Sequence, residues 1–559
     1  MKVMHYDAIV VGSGITGGLA AKELTAKGLK VALIERGKNI PHRTGYKQEF
    51  TPPWELPFRG EGDKAAWNSD YAIQQGSGQM NEWNQEYWVK DSEHPYTSTS
   101  EPFTWYRGYH LGGRSLMWGR QCYRWSPEDF NANAKDGKAT AWPIQYDDVA
   151  PWYSYVEKFI GISGSRDGLP VLPDGEFQPA IPLNPVETHL KSEFAKSFPG
   201  RHVIIGRTAN LTEAQPELGR APCQNRNICS RGCSFGAYYS TQSAALPTAQ
   251  ATGNLTLLTD SIVEQLNYDD DAKKLTGVTV IDRITKEKSV VNAKIVFVCA
   301  GAFNSVALML RSKSKTFPNG IANSSGVLGK YIMDHAVALA AVGEIPGFED
   351  IYYEGNRPTG ILIPRFINVD QQETDVARGF VYQGGAYRPS WTRALNSPGL
   401  GVSFKEAMRQ PGNWRFAMTC FAECLPNAEN RITLDETQRD VDGLPALKIQ
   451  FKFGENELKL VERAHKEAVA MIEKVGGRVL FGMSKPSPGG TAIHEMGGAR
   501  MGLDPKSSVV NKHNQAHDVP NLFITDGACM ASSASQNPSL TYMALTARAA
   551  DYAHKTFFS

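Results

Sequence analysis

Two groups of side chains in this sequence are of a type and spacing that could do chemistry. His494 stands in Thr491-Ala-Ile-His494-Glu-Met-Gly-Gly, and Asn537 in Ser535-Gln-Asn537-Pro538-Ser-Leu. An imidazole that titrates near neutrality can accept a hydroxyl proton, and a neutral amide can hold the same hydroxyl without adding charge. Together they suit removal of a proton from an alcohol. The second group is Cys223, Cys229 and Cys233, spaced C-x5-C-x3-C in a loop of glycine and polar residues. Thiolates supplied so locally suit an iron–sulfur cluster. Zinc with a fourth ligand from elsewhere, or buried or reactive thiols, are the other readings, and the spacing differs from the common ferredoxin runs.

Such groups need elements to position them. With 559 residues the chain exceeds a single hydrophobic core, and two domains are expected. A composition of 41% hydrophobic and 21% charged residues excludes the disordered and fibrous classes, and a net charge of +1 gives no reason to expect nucleic acid or a charged membrane surface. No apolar run approaches the roughly 18 residues that span a bilayer; Ile295–Ala300 fits a buried strand instead. Met1-Lys-Val-Met-His runs directly into a strand, which leaves no room for a secretory signal, so by itself the chain is expected to stay in the cytoplasm.

Tyr6-Asp-Ala-Ile-Val-Val-Gly12-Ser13-Gly14-Ile-Thr-Gly17-Gly18 reads as a buried strand, a glycine turn and a helix through about Lys27, with Leu29–Glu35 as the second strand. This is the context that the GxGxxG fingerprint requires. Gly12 permits the turn, Gly14 lets backbone approach a pyrophosphate, Gly17 lets helix and strand pack, and the helix N-terminus attracts phosphate charge. Glu35, closing the second strand, is placed for the hydroxyls of an adenosine ribose. A second glycine-rich turn, Gly112-Gly113-Arg-Ser115-Leu-Met117-Trp118, suggests backbone pressed against a ligand.

Between them, residues 38–101 carry Trp54, Trp67, Tyr71, Trp83, Tyr87, Trp88 and Tyr96, an excursion expected to cover the site, with flat faces that suit sugar rings or simply pack. Leu255–Asp260, Leu275–Asp282 and Lys294–Cys299 continue the nucleotide domain as short strands. From about Ala336 to Gly490 the chain changes character, with strand-like pieces Glu429–Leu434 and Ala446–Phe453 and a helix Asn456–Val475, a second domain on an antiparallel sheet. Pro538 opens a helix that runs through Leu540–His554 and aims its positive end at the site. The predicted fold is α/β (α+β overall). A Rossmann-like cofactor domain (1–40, 104–130, 220–335 and 490–559, with the cysteine loop at 222–237) is interleaved with a substrate-binding domain and active-site cover (41–103, 131–219 and 336–489).

These motifs together resemble the glucose–methanol–choline oxidoreductases, FAD enzymes that oxidise alcohols. The likeness covers the whole chain: the glycine fingerprint, Gly112-Gly113-Arg-Ser115, Ser325-Gly-Val-Leu-Gly329 with Asp334-His335, the His494 segment, and Asp526-Gly527 ahead of Asn537. Trp142-Pro-Ile-Gln-Tyr-Asp-Asp and Glu429-Asn-Arg-Ile432 resemble in particular the bacterial glucose dehydrogenase catalytic subunits, glucoside 3-dehydrogenases, and gluconate and fructose dehydrogenase large subunits. The resemblance implies His494 and Asn537 as the catalytic pair. It implies FAD on Gly12, Ser13, Gly14, Gly17, Glu35, Gly112, Gly113, Ser115, Asp526, Gly527 and Pro538, with a turn-capping role as the other reading of Asp526. It also implies a 3Fe–4S cluster on Cys223, Cys229 and Cys233. Where pyranose oxidases bind FAD covalently through histidine, Met117 stands here, so non-covalent FAD is expected.

The implied activity is oxidation of a secondary alcohol of a sugar or glycoside, C3 favoured, with electrons leaving through the cluster to an external acceptor. Glucose C1 or gluconate-type oxidation, a sugar oxidase using oxygen, and a non-catalytic binding protein are the alternatives. The implied partners are a small chaperone-like subunit with an export signal and a cytochrome c, whose company would carry the chain to the periplasm.

Overall fold

In the computed structural model, which describes residues 2–352, 356–369, 371–389, 393–394 and 397–559, the glycine turn follows the central strand of a seven-stranded sheet. Lys2–Val11 pairs in parallel with Val31–Ile34 on one side and Lys288–Val298 on the other, and Val31–Ile34 pairs in parallel with Leu255–Leu258. The far edge of Lys288–Val298 is shared. Its second half takes Leu522–Ile524 in parallel, while its first half takes Lys274–Asp282, the inner arm of an antiparallel pair with Ser261–Asp269. Parallel strands covered on both faces read as unbroken apolar runs, and Val31–Ile34 and Ile295–Val298 are accordingly buried throughout. The helix Ile15–Ala26 lies on this sheet and packs against Ser539–Phe557 and Ala245–Ala251. The carboxyl ends of four parallel strands therefore open on one crevice, to which they deliver Gly12, Glu35, Cys299-Ala300-Gly301 and Asp526.

The second sheet is antiparallel throughout, in the order Arg478–Phe481, Ala336–Ile345, Trp414–Ala422, Phe380–Tyr387, Ile361–Ile363, Ile204–Ile205. Its back is covered by the helix Glu455–Lys474, whose buried Leu460, Val461, Ala464, Ala468, Met471 and Ile472 recur at helical spacing. Side chains alternate across a strand. Tyr382 therefore points back, its hydroxyl donating to Ala464 O at 2.6 Å, while Gln383 and Phe421 share the front face and enter the crevice.

The hairpin Arg431–Arg439 and Pro445–Gln450, read from sequence as part of this antiparallel sheet, forms a separate three-stranded sheet with Tyr96–Ser98. Its turn supplies Asp440 and Asp442, 3.2 and 3.1 Å from the Arg36 guanidinium, which pairs the hairpin's tip with the end of the first sheet's second strand. The aromatic excursion mostly packs. Trp67, Tyr87 and Trp88 are buried with Leu116 and Met117, Trp54 is exposed, and of the seven aromatics Trp88 alone lines the crevice. Pro538 is the cap of the helix Ser539–Phe557 rather than its first residue. Among the described residues no helix is long and apolar enough to cross a membrane.

Candidate active site

The crevice is a cavity of about 360 Å³, and its floor is the glycine turn. Gly12 has φ +90°, and a Cβ there would lie 2.6 Å from Cys299 O; a Cβ on Gly17 would lie 1.8 Å from Gly12 O. A Cβ on Gly14 would meet no protein atom within 4 Å and would project into the cavity. Space kept clear of side chain over a helix N-terminus fits a pyrophosphate. Ser13 donates to Glu35 Oε2 from its amide at 3.1 Å and from its hydroxyl at 2.6 Å, and Gly112 N donates to Ser13 Oγ at 2.8 Å, which ties the two glycine turns together. Glu35 Oε1 accepts from Gly37 N at 2.9 Å, and burial pushes this carboxyl up.

Gly12, Ser13, Gly14, Glu35, Gly113, Ser115, Asp526, Gly527 and Pro538 line the cavity, whereas Gly17 and Gly112 stand behind it as packing positions. The Asp526 carboxylate is engaged within the protein. It accepts from Ser305 Oγ at 2.5 Å, Gly301 N at 2.9 Å and Ala528 N at 3.0 Å, and burial raises it to about 6. The capping role is the one its hydrogen bonds show.

At the other end of the cavity His494 Nε2 is 3.1 Å from Asn537 Nδ2, and Gln383 Nε2 donates to Asn537 Oδ1 at 2.5 Å. His494 Nδ1 is 2.7 Å from His335 Nδ1. His335 Nε2 faces only carbonyl oxygens, Ala534 O at 2.9 Å and Ser533 O at 3.2 Å. These contacts fix the protons. Carbonyls accept, so His335 Nε2 carries hydrogen; burial lowers His335 to about 4, so its Nδ1 is a bare acceptor. His494 Nδ1 must then donate, leaving Nε2 as an acceptor that takes a hydrogen bond from Asn537 Nδ2 at the edge of the cavity. Burial first, then the neighbouring His335, which resists a second positive imidazole beside it, and the Arg114 guanidinium hold His494 well below the usual imidazole range.

The loop bearing His494 is held from below. Asp334 Oδ1 accepts from His494 N at 3.0 Å, and Oδ2 from Gly490 N at 2.8 Å and Ala492 N at 3.2 Å. Ile493 is left-handed at φ +59°, an uncommon state for a β-branched residue that these bonds enforce. Burial, and then Glu495, raises Asp334 to about 7. Glu495 in turn takes Arg114 through two bonds, at 3.0 and 2.6 Å.

Cys223, Cys229 and Cys233 are free and line a separate, smaller cavity with Asn210, Arg226 and Tyr238. Tyr238 links the two cavities: Arg120, on the wall of the larger one, lies 5.4 Å above its ring, and its hydroxyl donates to Leu116 O at 2.8 Å.

Sequence models of the GMC oxidoreductase match residues 6–337 and 426–546. The chain belongs to the GMC oxidoreductase family. It is 30% identical to a 2-methyl-1,2-propanediol dehydrogenase of Mycolicibacterium austroafricanum over 99% of this chain and 95% of the relative, and 25% identical to the fructose dehydrogenase large subunit of Gluconobacter japonicus over 98% of each. The crystal structure of pyridoxine 4-oxidase from Mesorbium loti superposes with a TM-score of 0.62 over 98% of this chain and 99% of that one, at 18% identity, a likeness of fold. The GMC fold and the dehydrogenase relatives make this chain an FAD-dependent oxidoreductase of CH–OH groups.

Several residues of this GMC site were not legible as site residues. His335 sits in a motif of the family but carried no role. Gln383 and Phe421 come from neighbouring strands of the second sheet, with the Phe421 ring 5.7 Å from His494 and 6.3 Å from His335. Strand alternation alone would put them on one face, but nothing local says that this face meets a histidine.

Proposed function

We propose that this chain oxidises a secondary hydroxyl of a sugar or glycoside, with C3 favoured, and exports the electrons through an iron–sulfur cluster on Cys223, Cys229 and Cys233. The observation that carries the chemistry is the ordered relay His335, His494, Asn537, Gln383. FAD in the cavity supplies the hydride acceptor. His494 Nε2 takes the hydroxyl proton, Gln383 fixes the Asn537 amide so that one Nδ2 hydrogen faces His494 and the other can hold the hydroxyl oxygen, and Phe421 keeps water from the imidazole. The N-terminus of Ser539–Phe557, bordering the cavity at Asn537, Pro538 and Ser539, favours negative charge there.

The cavity lining includes Ser77, Gln79, Gln121 and Gln383 with Trp88, Trp118 and Phe421, a mixture suited to a ring with several hydroxyls. The name of the fructose dehydrogenase relative supports a sugar; that of the propanediol dehydrogenase keeps a small diol as a second reading. For the cysteines, three thiols from one loop lining one cavity support a locally held inorganic group. A one-electron carrier beside a two-electron site implies a one-electron partner, a cytochrome c by family resemblance. A small subunit exported with the chain would place both in the periplasm.

Anaerobic bleaching of the flavin with glucose, methyl glucoside, gluconate and 2-methyl-1,2-propanediol, followed by product analysis, tests the substrate. Bleaching by methyl glucoside to a 3-keto product is the expected result. Bleaching by free glucose alone would make C1 the oxidised carbon, and bleaching by the diol alone would end the sugar reading.

A further inference from the structure

We infer that Asn210 donates a hydrogen bond to the inorganic group held by Cys223, Cys229 and Cys233 and so raises the reduction potential of that group; this rests on the cluster reading above. Asn210 is 1% exposed and lines the cysteine cavity. Its amide orientation is set by Thr208, whose hydroxyl donates to Asn210 Oδ1 at 2.9 Å. That leaves Nδ2 buried and without an acceptor, including any cysteine sulfur. Buried N–H groups are rarely left unpaired, because losing water without a replacement is costly.

A second donor repeats the pattern. Arg226 lines the same cavity and directs Nη2 to Glu49 Oε1 at 2.6 Å, while its buried Nη1 has no partner. A wall with two unpaired donors suits an occupant that brings its own acceptors. A bare metal ion brings none, whereas a cluster brings sulfide. Asn210 is also fixed to the cysteine loop, bridging Tyr238 in an antiparallel pair while the adjacent Leu211 O accepts from Cys223 N at 2.8 Å.

A donor on sulfide stabilises the more negative, reduced form, and hydrogen bonds to sulfur are among the features that set cluster potentials. One electron enters and no bond is made or broken. Purified holoenzyme, as wild type and as Asn210→Leu, is assayed for iron and acid-labile sulfide and then titrated redox-metrically by electron paramagnetic resonance. At a fixed poise the reduced-to-oxidised ratio is expected to fall about tenfold in Asn210→Leu, a shift of about 59 mV for one electron. If the variant fails to assemble its group, wild type labelled with 15N-asparagine decides instead, with an isotope-sensitive nitrogen coupling expected in the spin-echo modulation. An unchanged midpoint, or no asparagine coupling in that labelled protein, overturns the role of Asn210 and leaves the cluster standing. Zinc, or no iron and sulfide, in the wild type overturns the cluster reading and this inference together.

Discussion

At the scale of single residues, the reactivity of His494 is a matter of where two protons sit. Replacing it with alanine is expected to leave FAD bound while slowing flavin reduction about 10²–10⁴-fold, the usual range for a lost general base, with Asn537→Ala costing less. Stopped-flow reduction at the wild-type rate would remove His494 from the role. His335→Phe keeps a ring of similar size but offers His494 Nδ1 no acceptor, so both tautomers become available. About tenfold slower reduction at unchanged KM and FAD content is expected, the scale of one hydrogen bond; unchanged rates would break the proton relay. Because His494 lies well below its usual 6.5, the base is unprotonated throughout the neutral range. Flavin reduction should stay level from the alkaline side through pH 6.5 and fall only at more acid pH, and a midpoint at or above 6.5 would contradict the burial that lowers it.

At the scale of elements, two glycines of one turn separate cofactor contact from folding. Gly14 has an ordinary φ of –60° and a Cβ there touches no protein atom, so Gly14→Val should fold with the apoprotein's stability changed by about 0.5 kcal/mol or less, yet lose FAD. Gly17→Val drives its side chain into Gly12 O and should lose soluble folded protein whether or not FAD is supplied. Flavin absorbance and thermal melts of both variants check the contrast; retention of FAD by Gly14→Val would mean that the pyrophosphate does not cross this turn. Likewise Gln383 acts from the second sheet, so the Asn537 amide, just ahead of the helix Ser539–Phe557, is oriented by a strand from the other part of the fold.

At the scale of the molecule, buried ionisable groups set the acid limit. His42, His110 and His335 are each lowered to about 4 and His494 further from its usual value, while Asp334 and Asp526 are raised to about 7 and about 6, all chiefly by burial. Between about pH 4 and pH 6 the unfolded chain binds protons on the four histidines that the folded chain refuses, and the folded chain binds protons on two acids that the unfolded chain releases. His94 and His513, also lowered, join the four, and Glu35, Glu423 and Glu457, also raised, join the two; Asp440, held down to about 2 beside His94 and Arg36, adds to the histidine side, so stability is full near neutrality and is lost as pH falls. The melting temperature should drop steadily from about pH 6.5 to about pH 4.5; a profile that rises over that range would mean that the raised acids dominate, and a flat one that the two sets cancel. The proposed electron exit adds another expectation. Cys229→Ser should leave flavin reduction by substrate intact but impair transfer to a one-electron acceptor, and unchanged transfer after verified loss of iron would refute the relay.

The sequence by itself determined the parts whose signals are local. Strand, glycine turn, helix and Glu35 must lie together because short connections leave them nowhere else to go, and the apolar runs of the parallel strands mark burial on both faces. The His494 and Asn537 motifs and the C-x5-C-x3-C loop were likewise visible, as residue types at recognisable spacing. What only the tertiary structure decided are contacts between segments far apart in the chain. Burial leaves His335 neutral between two backbone carbonyls and His494, and so selects the tautomer of His494. Strand pairing puts Gln383 beside Asn537, and pairing with Tyr96–Ser98 together with packing on the helix Ala302–Arg311 sets the Asp440 hairpin apart from the sheet to which its strand pattern assigned it. Each depends on which faces meet, and hydrophobic periodicity specifies that a face is buried without specifying against what.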